Sequence, residues 1–136
     1  MVKEKKIDMS TILVVEDEPN VRKFVTVNLV HRGHKVIEAK NGQLALEQLI
    51  DQKPELLILD IKLPDLSGWD ILNRIITVPA RSADFPVLVM TASPVDENNI
   101  LEQYPSVVEI LMKPFNTAQL MTAIQRALSK TGTYSI

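Results

Sequence analysis

LLILDIKLPDLSG, residues 56–68, runs from four consecutive aliphatic side chains into one carboxylate and then into a loop. The run Leu56 to Leu59 has strand length and no polar alternation, as expected of a strand buried on both faces. Asp60 ends it, and Pro64 and Gly68 punctuate the loop that follows. Ile71, Leu72, Ile75 and Ile76 then recur at helical spacing.

The same alternation holds on either side. Thr11 to Val15 reads as a first strand, followed by Glu16-Asp17-Glu18 and by Pro19, which suits the first turn of a helix. Val21, Phe24, Val25 and Leu29 fall on one face of that helix, and Gly33 is placed to stop it. Lys35 to Ala39 predicts a second strand, and Ala45, Leu46, Leu49 and Ile50 the apolar stripe of the next helix. Beyond the third helix come a fourth strand, Val87 to Met90, and a weakly periodic helical stretch from Val95 to Tyr104. A fifth strand, Val107 to Met112, precedes a last helix that Asn116 can cap, with Leu120, Met121, Ile124 and Leu128 on its apolar face.

Five strands alternating with five helices predict an α/β fold with a doubly wound parallel sheet and helices on both faces. Strands one, three and four are nearly pure aliphatic, whereas two and five carry Lys35, Glu38 and Glu109. That places strands two and five at the edges and agrees with the order 2-1-3-4-5.

Ligands of an open parallel sheet bind beyond the carboxyl ends of its strands. Reading only those ends gives Glu16 and Asp17 after strand one, Asp60 after strand three, Thr91 after strand four and Lys113 after strand five. Each alone has a dull reading as a turn former, a cap or a solvated charge. Together they put three carboxylates, a hydroxyl and an ammonium on one rim. Crowded carboxylates disfavour joint ionisation unless a cation joins them, and Mg²⁺ suits a few carboxylates with several waters. Lys113 offers a compact charge, and Thr91 a hydroxyl, to a phosphoryl oxygen.

Composition removes other classes. The 136 residues fit one domain, and the absence of cysteine excludes disulfides, thiolate catalysis and cysteine-based zinc sites. That absence fits a reducing, cytoplasmic setting. No apolar run approaches the roughly 20 residues of a membrane span, and the N-terminal stretch lacks the apolar core of a signal peptide. A net charge of −2 argues against a nucleic-acid surface, and Lys3, Lys5 and Lys6 read as a solvated leader.

The motifs ILVVEDEP, LLILDIKLPDLSG, VLVMTAS and MKPF, in this order, resemble those of the receiver domains of bacterial two-component response regulators. The likeness covers roughly residues 10 to 129, with residues 1–9 as a leader and 130–136 as a short tail. It implies a flavodoxin-like fold and phosphorylation of Asp60 by a sensor histidine kinase or a histidine phosphotransfer protein. It implies that Glu16, Asp17, Asp60 and the backbone carbonyl of Lys62 hold Mg²⁺, while Thr91 and Lys113 bind the phosphoryl group. It further implies a cis Lys113-Pro114 bond. Lys62 and Ser93 would stand at the pocket mouth and tune the lifetime of the phosphoryl group. The output face would comprise helix four, strand five and helix five, through which a homodimer is also possible. Such a domain is not a turnover enzyme; it catalyses only its own phosphoryl transfer and dephosphorylation.

One position departs from the family pattern: Ile110 stands where an aromatic usually precedes the lysine by three residues. Altered coupling from Asp60 to the output face is therefore expected. The alternative is a degenerate receiver acting as a phosphorylation-independent interaction module. A flavin carrier would need a glycine- and hydroxyl-rich loop where Glu16-Asp17-Glu18-Pro19 stands. An aspartate-nucleophile phosphohydrolase would usually place a second acid at position 62, which is lysine.

Overall fold

The computed structural model describes residues 10–75 and 86–130. The leader, Ile76 and all but the first residue of the tail lie outside the described residues. The elements run β1 (Thr11–Val15), α1 (Pro19–His31), β2 (Lys35–Ala39), α2 (Gly42–Gln52), β3 (Leu56–Asp60), α3 (Gly68–Ile75), β4 (Val87–Thr91), α4 (Glu97–Gln103), β5 (Val107–Met112) and α5 (Thr117–Lys130). All sheet pairings are parallel, in the order β2-β1-β3-β4-β5.

The burial of each strand follows from that order. Every residue of β3 and β4 is buried, as is β1 from Ile12 onward, because helices cover both faces. Side chains of one parity, such as Leu57, Leu59, Val87 and Val89, pack with Ala45, Leu49, Ile71, Leu72 and Ile100 of α2, α3 and α4. The other parity, including Ile12, Ile58, Leu88 and Met90, meets Val25 and Leu29 of α1 and Leu120, Ile124 and Leu128 of α5. The two-residue period of a strand thus divides one sheet between two cores.

Local chemistry sets the helix ends. Pro19 opens α1, and Gly33 follows it with φ 95°, a conformation glycine adopts freely. Asn41 caps α2 by accepting from the Leu44 N–H at 2.9 Å, Asp96 caps α4 through Asn99, and Asn116 caps α5 through Gln119 at 2.8 Å. The weak stretch before Tyr104 is a helix of 7 residues beginning after Asp96, with Ile100 as its buried residue. Two residues expected on apolar faces point outward instead: Ile50 is 62% exposed and Phe24 37%. Phe24 lies at the edge of its stripe, against the Phe115 ring at 6.2 Å. His31 is exposed and His34 half-buried, both well away from the sheet's carboxyl rim. Among the described residues no helix is long and apolar enough to cross a membrane.

Candidate functional site

Four of the five strands deliver polar side chains to the carboxyl rim, where they line one cavity of 740 Å³. Glu16 and Asp17 follow β1, Asp60 and Thr91 are the last residues of β3 and β4, and Lys113 follows β5. Lys62 and Ser93 line the same cavity. All seven residues singled out in the sequence are therefore brought together.

Glu16 is fully buried, Asp60 is 4% exposed and Thr91 5%, while Asp17 faces solvent. Lys113 spans the two buried carboxylates, its Nζ 2.6 Å from Glu16 Oε1 and 3.0 Å from Asp60 Oδ2. The remaining oxygens are also held: the Glu18 N–H donates to Glu16 Oε2 at 3.1 Å and the Lys62 N–H to Asp60 Oδ1 at 3.1 Å. Thr91 is turned toward its own loop, its Oγ1 accepting the Ser93 N–H at 3.1 Å.

Burial pushes the Glu16 carboxyl up to about 7, against the pull of Lys113 and the Glu18 N–H, and the nearby Asp60 charge adds to the rise. Burial works to lower the Lys113 ammonium, but its bonds to Glu16 and Asp60 outweigh that and raise it above 10.5. One cation therefore serves two carboxylates, and the site remains short of positive charge.

The donor set suits a hard cation. Glu16, Asp17 and Asp60 each bring a carboxylate oxygen to within 4.8 Å of the others. Oxygen donors of this number and hardness fit Mg²⁺ with water completing its shell. The buried Glu16 Oε1 faces the Lys113 ammonium at 2.6 Å, and a cation in the site would share that oxygen.

A family model for the response regulator receiver domain matches residues 12–125. The chain belongs to the response regulator receiver family. Over 122 residues it is 32% identical to the phosphate regulon transcriptional regulatory protein PhoB of Pseudomonas aeruginosa, covering 90% of this chain and 53% of that protein. The receiver thus spans about half the length of the curated relatives it matches. Its structure resembles the chemotaxis response regulator CheY4 of Vibrio cholerae, with a TM-score of 0.80 and 25% identity over 88% of this chain and 99% of the other. It also resembles the response regulator TrrA of Thermotoga maritima, described in complex with Mg²⁺ and BeF, with a TM-score of 0.75 and 29% identity over 88% and 100% of the two chains.

The receiver's loops are braced by residues to which the sequence patterns gave no site role. Asp65, in the β3–α3 loop, accepts the N–H groups of Gly42 at 2.8 Å and Gln43 at 3.0 Å, so one carboxylate joins that loop to the start of α2. The Gly42 N–H above all holds this carboxyl below its ordinary value. Trp69 lines the cavity and stacks on Tyr104, ring centroids 5.2 Å apart. Arg22, on α1, donates from Nη1 to the Glu16 carbonyl at 2.8 Å. The Lys113-Pro114 bond is cis, as the family resemblance implied. Ile110 is half-buried against the α2–α4 core, leaving no aromatic at that position of the edge strand.

Proposed function

We propose that residues 10–129 form a phosphoacceptor receiver in which Asp60 accepts a phosphoryl group with Mg²⁺ as cofactor. The observation that carries this is the convergence of Glu16, Asp17 and Asp60 within 4.8 Å, with Lys113 bonded to the Asp60 carboxylate. An Asp60 oxygen attacks phosphorus as the bond to the donor's leaving group breaks, and that group keeps the bonding electrons. The donor is a phosphohistidine of a sensor kinase or phosphotransfer protein, or a small acyl phosphate. Glu16, Asp17, Asp60 and the Lys62 carbonyl would hold Mg²⁺, which would supply charge compensation for the phosphoryl oxygens. Lys113 moves its ammonium from the carboxylates to a phosphoryl oxygen, and the Thr91 hydroxyl turns from its loop to donate to another. Positioning and charge stabilisation carry such a transfer, with little covalent work left to the protein. Lys62 and Ser93 line the cavity with exposed side chains and would tune the lifetime of the phosphoryl group. With Ile110 in place of an aromatic, the response of α4, β5 and α5 runs through contacts other than a ring on β5.

The experiment is intact mass after incubation with acetyl phosphate, with and without Mg²⁺, for the wild type and Asp60→Asn. A single phosphoryl adduct requiring both Mg²⁺ and Asp60 is expected. No adduct, with Mg²⁺ binding shown separately, would favour an interaction module that works without phosphorylation.

Mg²⁺ binding is expected to depend on pH through Glu16. Its folded value, raised from 4.5 to about 7, means that its contribution to stability is complete below 4.5 and is lost as pH rises through about 7. The cation needs the ionised carboxylate, so its affinity runs the opposite way. Calorimetric titration should give Mg²⁺ binding about tenfold tighter at pH 8 than at pH 6, the factor for one proton displaced below its pKa. Equal affinity at the two pH values would contradict the assignment of Glu16 as a ligand.

A further inference from the structure

We propose that Arg22 is a positioning residue that fastens the acidic turn after β1 and thereby sets the affinity of Glu16 and Asp17 for Mg²⁺. The inference deepens the receiver reading above and rests on it for the identity of the cation.

Glu16 and Asp17 lie beyond the last residue of β1 and before the first residue of α1. Strand pairing alone does not orient two adjacent side chains toward one ion, because successive strand residues face opposite ways. The turn must be held by other means. Its Glu16 N–H donates to the Ala39 carbonyl at 3.1 Å, and its Glu16 carbonyl accepts Arg22 Nη1 at 2.8 Å. Both backbone polar groups of the buried ligand are thereby fixed, one by the edge strand β2 and one by a side chain of α1.

The guanidinium is held in turn. Arg22 Nε lies 3.3 Å from Glu38 Oε1 on β2, and the other Glu38 oxygen accepts the Thr26 hydroxyl of α1 at 2.6 Å. The planar fork of arginine lets one side chain serve a carboxylate and a carbonyl at fixed angles, which a lysine ammonium does not reproduce. Glu38 is 43% exposed, so its ion pair with Arg22 adds little stability by itself. The consequential contact is the charge-assisted bond to the Glu16 carbonyl, made by an Arg22 side chain only 18% exposed. Groups that orient metal ligands without touching the metal govern affinity through the geometry they impose.

Charge alone predicts the reverse. A guanidinium beside a cation site repels the cation, so its removal by electrostatics would tighten Mg²⁺ binding. Positioning predicts that removal weakens it. The sign of one measurement separates the two.

The test uses the full chain as wild type, Arg22→Ala, Arg22→Lys and Glu38→Gln. Amide exchange is measured without Mg²⁺ at Glu16 and Glu18, whose N–H groups are both bonded, with Leu57 and Ile58 of β3 as controls for the fold. Mg²⁺ is then titrated by calorimetry. In Arg22→Ala, exchange at Glu16 and Glu18 should rise about tenfold while β3 is unchanged, and Mg²⁺ should bind about tenfold more weakly. Arg22→Lys, which keeps the charge and loses the fork, should follow Arg22→Ala. Glu38→Gln, which keeps an acceptor, should stay near the wild type. Unchanged exchange in the turn would overturn the fastening, and equal or tighter Mg²⁺ binding by Arg22→Ala would overturn its link to affinity. A wild type that takes up no Mg²⁺ would overturn the metal reading and that link together, while faster exchange in the turn would still uphold the fastening.

Discussion

Replacing Lys113 by alanine is expected to lower stability by about 2–3 kcal/mol at pH 8 in the absence of Mg²⁺, and by about 1 kcal/mol less at pH 6. The side chain is 17% exposed and sits between two carboxylates, of which Glu16 is fully buried and Asp60 is 4% exposed. Removing the ammonium leaves like charges facing each other without a counter-ion, the arrangement for which losing one partner of a buried pair is most costly. Partial exposure keeps the loss below that of a fully enclosed pair. Protonation of Glu16 provides relief. At pH 6 its carboxyl, raised to about 7, is already largely neutral in the wild type, so less is lost with the lysine. At pH 8 the wild type holds it ionised, and the variant must either protonate it or bear the repulsion. Urea unfolding at the two pH values measures the difference, and added Mg²⁺ should restore part of the stability at pH 8. An equal loss at both pH values would mean that Lys113 acts by packing rather than charge.

Gly68→Ala is expected to cost about 2 kcal/mol and to slow phosphorylation of Asp60 at least about tenfold. Gly68 is the first residue of α3 and its N–H donates to the Ile61 carbonyl at 2.7 Å. A Cβ at this position would stand 2.8 Å from Ile61 Cα and 3.0 Å from the Asp60 carbonyl oxygen. Side chains can turn away from such a clash, but these are main-chain atoms of Asp60 and its neighbour. The added methyl must therefore displace α3 or move Asp60, and either disturbs a site whose chemistry depends on position. Unfolding free energy and the initial rate of adduct formation from acetyl phosphate should fall together. A variant that loses stability and keeps the wild-type rate would show that the strain is absorbed in α3.

The aliphatic runs made the strands legible: Leu56–Leu59 and Val87–Met90 have no polar residue to assign elsewhere, and they proved to be the interior of the sheet. The edges were legible from Lys35, Glu38 and Glu109 for the complementary reason. Helix α4 was hard to read because its seven residues, ENNILEQ, bury one side chain and leave almost no period to detect. The rim residues stood out because each ends its strand or comes just after it in the chain, so one-dimensional order already carries the geometry. Arg22, Asp65 and Trp69 had no such signal. Their partners lie on other elements: Glu38 is 16 residues from Arg22, and Gly42 is 23 residues from Asp65. A lone arginine on a helix reads as solvated until the sheet brings β2 alongside it. Phe24 and Ile50 erred in the other direction, since helical period alone does not tell how wide a stripe the neighbouring elements will cover.

Whether Asp60 accepts the phosphoryl group is tested by identifying the residue that acquires it. The chain is incubated with acetyl phosphate and Mg²⁺, reduced with borohydride so that an acyl phosphate becomes a stable alcohol, digested, and mapped by mass spectrometry. Conversion of Asp60 to homoserine is expected in the peptide spanning LLILDIKLPDLSG, absent without Mg²⁺ and absent from Asp60→Asn. Conversion at Glu16 or Asp17, or an unmodified Asp60 in protein that binds Mg²⁺, would contradict it.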